Sequence, residues 1–167
     1  MGQALRHGLV QQSHGVAFVA VVGHPVQRDA FQGLAAQLGV AGRVHFLGAL
    51  ADMAPAFAAA DVLAHPTQED TFAMVVIEAM SHGVAVVVSS ARHCGISALL
   101  GDGVDALILD DPQDAAALAA LLNRILGDRA VRQGLSEAGR AFAARHEWPA
   151  VAARQEAAYY AVCGSGT

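Results

Sequence analysis

Short Val-rich apolar runs, each closed by turn residues, recur along this chain and constrain its fold more than any other feature. Residues 16–22 are apolar throughout and stop at Gly23-His24-Pro25, the pattern of a strand buried on both faces and ended by a turn. Residues 28–38 follow with Phe31, Leu34, Ala35 and Leu38 at helical spacing, and Gly39 supplies the C-terminal cap. The unit then repeats: a strand at 43–47, a helix from the cap Asp52 to Ala60, a strand at 61–65, a helix after Asp70 and a strand at 84–88. A last short strand is expected at 106–109. This alternation predicts an α/β fold, a Rossmann-like doubly wound parallel sheet flanked by helices. Three helical stretches at 115–126, 129–145 and 148–160 complete it, the aromatics Trp148, Tyr159 and Tyr160 being expected to anchor the last one onto the sheet. Residues 1–15 carry no strong period and stay unassigned, 16–163 form one domain, and 164–167 are expected to be a flexible end.

Composition removes several function classes. The hydrophobic fraction is 54% and the charged fraction 15%, a globular rather than a disordered balance. The net charge is −5 and all ten basic residues are scattered arginines, so there is no footprint for nucleic acid. Without lysine, neither Schiff-base chemistry nor a P-loop is open to it. Cys94 and Cys163 match no zinc spacing and His93-Cys94 are adjacent, so no metal is expected and both thiols read as reduced. No apolar run reaches the roughly 18 residues of a membrane span, and no signal peptide is evident, so a cytoplasmic protein is expected.

Asp70 and Glu78 stand out within a largely apolar stretch. The loop 66–71 follows a strand, and in an open parallel sheet ligands gather at the carboxyl ends of strands. With a helix beginning near Phe72, the free N–H groups of Phe72, Ala73 and Met74 would face that crevice and suit a diphosphate. Glu78, ~9 Å further along the axis at 1.5 Å per residue, could accept hydrogen bonds from both hydroxyls of a ribose, which would explain a carboxylate expected to be buried. The competing reading is purely structural: Asp70 or Thr71 caps the helix, and Glu78 pairs with His82 one turn on.

At this segment the sequence resembles the C-terminal, nucleotide-sugar-binding domain of retaining GT-B glycosyltransferases of family four (group 1), marked by a Glu-x7-Glu motif whose spacing Asp70 and Glu78 reproduce. Residues 43–48, 60–66, 78–87 and 103–109 with Asp111-Pro112 are similar to the family's successive strands and turns, so the likeness runs from Val16 to Tyr160. The resemblance implies that Glu78 binds the donor ribose and that Asp70, as the catalytic-site acid, holds hydroxyls of the donor sugar. It further implies that Thr71 and the amides of Phe72, Ala73, Met74 and Val75 line the diphosphate, and that Phe46 to Gly48 lie near the base. The implied reaction is transfer of a sugar from a nucleotide diphosphate sugar, which is substrate and not cofactor, to an acceptor such as a polysaccharide or lipopolysaccharide, with no obligatory metal.

The first acid is Asp where the family more often has Glu, so its sugar contact would be water-mediated or fall to Glu69. The family's basic segment and acceptor-binding N-terminal domain are not matched by this sequence, so the isolated chain is expected to bind donor weakly and to transfer nothing. Peripheral association of the full-length protein with the inner face of a membrane, and self-association through exposed apolar surface, are further expectations. His65, ahead of His24, and Arg92 are secondary ligand candidates; ordinary loop and surface roles compete with them. A nucleotide-sugar epimerase-like domain and a non-catalytic binding module are the alternative functions.

Overall fold

The structure is a computed structural model that describes residues 8–13, 16–23 and 27–163. The strands are β1 (Gly8–Ser13), β2 (Val16–Val22), β3 (Val44–Gly48), β4 (Val62–His65), β5 (Ala85–Ser89) and β6 (Leu107–Leu109). The helices are α1 (Arg28–Gln37), α2 (Ala54–Ala58), α3 (Met74–Ser81), α4 (Ala115–Gly127), α5 (Arg129–Ala144) and α6 (Trp148–Cys163). The six strands form one sheet in the order β3-β2-β1-β4-β5-β6. The β2–β3, β4–β5 and β5–β6 pairs are parallel, so five strands end at the same edge.

The exception is β1, which has no counterpart in the sequence reading. It occupies the middle of the sheet and runs antiparallel to both neighbours, from Gly8↔Val21 to Ser13↔Val16 on one side and with Val10↔Val62 on the other. Its Gly-, Gln- and Ser-containing sequence has little strand propensity of its own. Backbone ladders on both sides fix its conformation, a case of tertiary context overriding local preference.

Both faces are covered at β4 and β5, which are buried throughout and read as continuous apolar runs; β2, expected to be buried on both faces, is buried only at Val21 and Val22, and β3 is part-exposed along its length. In β5, Val86 and Val88 join the core formed with Val76, Ala79 and Met80 of α3, while Ala85 and Val87 join the opposite core with Ile125 of α4 and Leu135 of α5. Each fully buried valine contributes about 1.5–3 kcal/mol of transfer free energy. Helix α5 packs on α3: a Cβ at Gly139 would lie 3.2 Å from Met80 Cγ, and Ser136 Oγ donates to the Gly83 carbonyl at 2.6 Å. These contacts fix the direction in which α3 points.

Helix α6 departs from expectation. Tyr159, Tyr160 and Val162 are 63%, 69% and 77% exposed, so these residues do not anchor it on the sheet. Its sequence has no continuous apolar stripe, alanines and charges being spread all round, so no single face is directed onto the sheet. Among the described residues no helix is long and apolar enough to cross a membrane.

Candidate functional site

The sheet order reverses direction between β1 and β4: β2 and β3 lie on one side, β5 and β6 on the other. The crevice outside the carboxyl ends at such a point is where ligands bind in open α/β sheets. The loop 66–73, between β4 and α3, stands at that edge.

Asp70 organises this loop with all of its polar atoms. Its backbone N–H donates to the His93 carbonyl at 2.9 Å and its carbonyl accepts from Gly95 N–H at 3.0 Å, which ties the loop to the segment following β5. Its Oδ1 accepts from the backbone amides of Phe72 at 3.1 Å and Ala73 at 2.6 Å. Its Oδ2 lies 3.3 Å from His65 Nε2. Gly95 is required by the closeness of this contact, since a Cβ there would overlap the backbone carbonyl of Thr71.

The cap moves the helix start. Ala73 adopts φ 56, ψ 64, the one positive φ on a non-glycine among the described residues, and α3 begins at Met74 rather than at Phe72. The amides of Phe72 and Ala73 therefore turn inward onto Asp70 and are not free, in contrast to the expectation from the sequence. Those of Met74 and Val75 have no protein acceptor among the described residues and carry the positive end of the helix dipole. Thr71 and Phe72 are exposed beside them, Phe72 at 37%.

Glu78 is exposed, and the expectation that it is buried does not hold. The face of α3 turned to the core is Val76, Ala79 and Met80, at i, i+3 and i+4; Glu78 shares the opposite face with Met74 and Ser81. Its carboxylate makes no ion pair with His82, whose ring stacks on Phe57 at 5.3 Å. With the helix starting at Met74, Glu78 is four residues from the first free amide, or ~6 Å along the axis.

His65, expected as a ligand contact, is only 2% exposed and has no open face to present. The end of β4 is secured by a buried chain of hydroxyls: Ser97 Oγ donates to the Ser89 carbonyl at 2.6 Å and Ser89 Oγ to the His65 carbonyl at 3.4 Å. Cys94, 1% exposed, lies in the same cluster. Burial, and secondarily the negative charge of Asp70, push its thiol pKa up, so it is held neutral and is a poor nucleophile.

Two strands away on the same edge, Gly23 and Gly48 end β2 and β3 with positive φ, 104 and 72, and Gly23 N–H donates to the Gly48 carbonyl at 2.8 Å. Phe46 is half-buried, with the Arg28 guanidinium 5.7 Å from its ring centroid, an arrangement of cation–π type that the sequence did not signal. Arg92 and Glu69 are exposed. His24 lies outside the described residues.

Residues 4–142 match the family of glycosyl transferases group 1. The chain belongs to this family. It is similar to the phosphatidyl-myo-inositol mannosyltransferase of Mycobacterium tuberculosis, 38% identical over 87% of this chain and 39% of that protein. To the lipopolysaccharide glucosyltransferase WaaG of Escherichia coli it is 30% identical over 74% of this chain and 32% of that protein. Among solved structures, sucrose-phosphate synthase from Thermosynechococcus elongatus superposes with a TM-score of 0.73 at 30% identity, over 88% of this chain and 39% of that one. Anabaena HepE in complex with UDP superposes with a TM-score of 0.74 at 26% identity, over 90% and 42%. This group 1 chain thus has the α/β architecture of GT-B glycosyltransferases and spans about two-fifths of the length of the mannosyltransferase it matches.

Proposed function

We propose that the chain is the donor-binding domain of a retaining glycosyltransferase that takes a sugar from a nucleotide diphosphate sugar and delivers it to a polysaccharide or lipopolysaccharide type of acceptor. The observation that carries this reading is the pairing of two free amides at the start of α3, Met74 and Val75, with an exposed carboxylate one turn further on the same face, Glu78. Backbone amides at a helix N-terminus bind phosphate without a basic side chain. A carboxylate accepts from both hydroxyls of a ribose. The binding of UDP by HepE supports the same ligand class here.

In this reading the diphosphate lies on the Met74 and Val75 amides, beside Thr71, and Glu78 takes the ribose. The base lies toward Phe46 and Gly48. Asp70 keeps a partial role toward the donor sugar. Of its roughly four lone-pair positions, two on Oδ1 serve the Phe72 and Ala73 amides and one on Oδ2 faces His65, so one remains for a sugar hydroxyl. Transfer also needs charge stabilisation on the leaving diphosphate and a shaped acceptor site, which we assign to the acceptor-binding domain of the full-length protein, at the cytoplasmic face of the membrane. The exposed Tyr159, Tyr160 and Val162 of α6 are the surface we assign to contact with that domain. The 167-residue chain alone binds donor and does not turn it over.

Titration of the ¹⁵N-labelled protein with UDP, GDP and ADP tests the assignment. The amide resonances of Met74, Val75 and Glu78 move with at least one of these nucleotides, while those of residues 16–18, at the opposite edge of the sheet, stay in place. Movement confined to that opposite edge, or none with any nucleotide, would overturn the reading.

A further inference from the structure

We propose that His65 is a positioning residue of the nucleotide site, acting through Asp70: it pairs off the carboxylate that would otherwise face the diphosphate, and so keeps the Met74 and Val75 amides open to an anion. The inference rests on the reading above, in which the diphosphate lies at the start of α3. The argument begins with charge. The charged side chains of the loop and the exposed face of the helix are Glu69, Asp70 and Glu78, all negative, so neither element carries a cation of its own. A helix N-terminus offers only about half a unit of positive charge. An uncompensated carboxylate at Asp70, three residues before Ala73 and partly open to solvent, would offset that attraction.

His65 is placed to prevent this. Its imidazole is buried, 2% exposed, at the end of β4, so its position is set by the sheet and by the Ser89 hydroxyl on its carbonyl rather than by any ligand. Its Nε2 lies 3.3 Å from Asp70 Oδ2, the oxygen not used by the Phe72 and Ala73 amides. In the tautomer with its proton on Nε2, the imidazole points the positive end of its N–H dipole at the outer half of the carboxylate. It also holds the side chain in the orientation that caps the loop. The neighbouring Cys94 thiol is held neutral by burial and adds no second negative charge.

A residue with a purely structural role would weaken all ligands alike, whereas removing this N–H dipole from the Asp70 carboxylate weakens binding of the anionic part of the ligand selectively. The test is the ratio of affinities for a nucleoside diphosphate and its parent nucleoside, measured by calorimetry with UDP and uridine, GDP and guanosine, and ADP and adenosine. In His65→Ala the diphosphate affinity falls about tenfold or more while the nucleoside affinity stays within about twofold. His65→Gln, whose amide nitrogen reaches the place of Nε2, restores most of the ratio; His65→Asn, which is too short, does not. This Gln and Asn pair decides the matter even where the alanine variant folds poorly. An unchanged ratio in both His65→Asn and His65→Ala, or a Gln variant no better than Asn, overturns the inference. A wild-type protein that binds no diphosphate more tightly than its nucleoside refutes the underlying diphosphate site, and the role of His65 with it.

Discussion

Removing the Asp70 side chain separates the loop cap from the rest of the fold. In Asp70→Ala the amides of Phe72 and Ala73 lose their shared acceptor. A hydrogen bond to a charged group contributes about 1.5–3 kcal/mol where it is shielded. The Ala73 bond, at 2.6 Å and partly buried, lies in that range, whereas the Phe72 amide is on the exposed side and water replaces most of its bond. Against this loss, Ala73 is freed from a left-handed conformation that costs about 1–2 kcal/mol. The net loss is then about 0–2 kcal/mol. For a chain of this length that lowers the thermal midpoint by up to roughly 8 °C. Binding responds more than stability, because a relaxed loop no longer aims the Met74 and Val75 amides together: UDP affinity falls by about tenfold or more, equivalent to about 1.4 kcal/mol. Circular dichroism melting and calorimetry on one preparation give both values. A variant with the wild-type midpoint and unchanged nucleotide affinity would refute the role given to Asp70.

Two further outcomes follow from the same geometry. Ala73→Gly relieves about 1–2 kcal/mol of strain and loses about 0.8 kcal/mol of methyl burial and 0.4–1 kcal/mol through the freer unfolded chain. The variant therefore stays within about 1 kcal/mol of wild type in denaturant unfolding, whereas Ala79→Gly, buried in mid-helix, loses about 1.8 kcal/mol from propensity and methyl burial together; equal losses at the two sites would contradict the left-handed assignment. Cys94 supplies a pH dependence. Its folded-state pKa is raised by burial, so the stability of the neutral thiol is fully present below about pH 8.5, its unfolded value, and is lost as pH rises through the folded value. Wild type should therefore keep its advantage over Cys94→Ala below the unfolded thiol pKa and lose it as pH rises above that value in urea titrations, and a constant difference would show that the thiol is not held neutral.

Much of the fold is legible because strands covered on both faces write themselves as uninterrupted apolar runs: β4 and β5 are buried throughout and lie within a residue of the expected bounds, while β2 has the expected bounds but is buried only at its end. Strand β1 is not, since its conformation comes from neighbours distant in sequence rather than from its own residues. Glu78 was misjudged for a different reason. The apolar composition around it suggested burial, although the spacing of Val76, Ala79 and Met80 already put it on the opposite face. The sequence offered Asp70 as a helix cap or a ligand contact; the N-cap is instead Ala73, and Asp70 holds the loop that precedes the helix. Its contact with His65 was visible in neither motif nor spacing, because it joins a strand end to a loop across a buried ring.

Glu78 also provides the most direct test of the account. Calorimetry compares UDP, GDP and ADP, and their 2′,3′-dideoxy counterparts, on wild type and Glu78→Ala. Because Glu78 is exposed, the substitution leaves stability within about 0.5 kcal/mol. Its two hydrogen bonds to ribose hydroxyls make the expected loss at least about tenfold for the natural nucleotide, with no loss for the dideoxy form. Equal affinity of both proteins for the tightest-binding nucleotide would contradict the claim that the start of α3 and Glu78 together hold a nucleoside diphosphate.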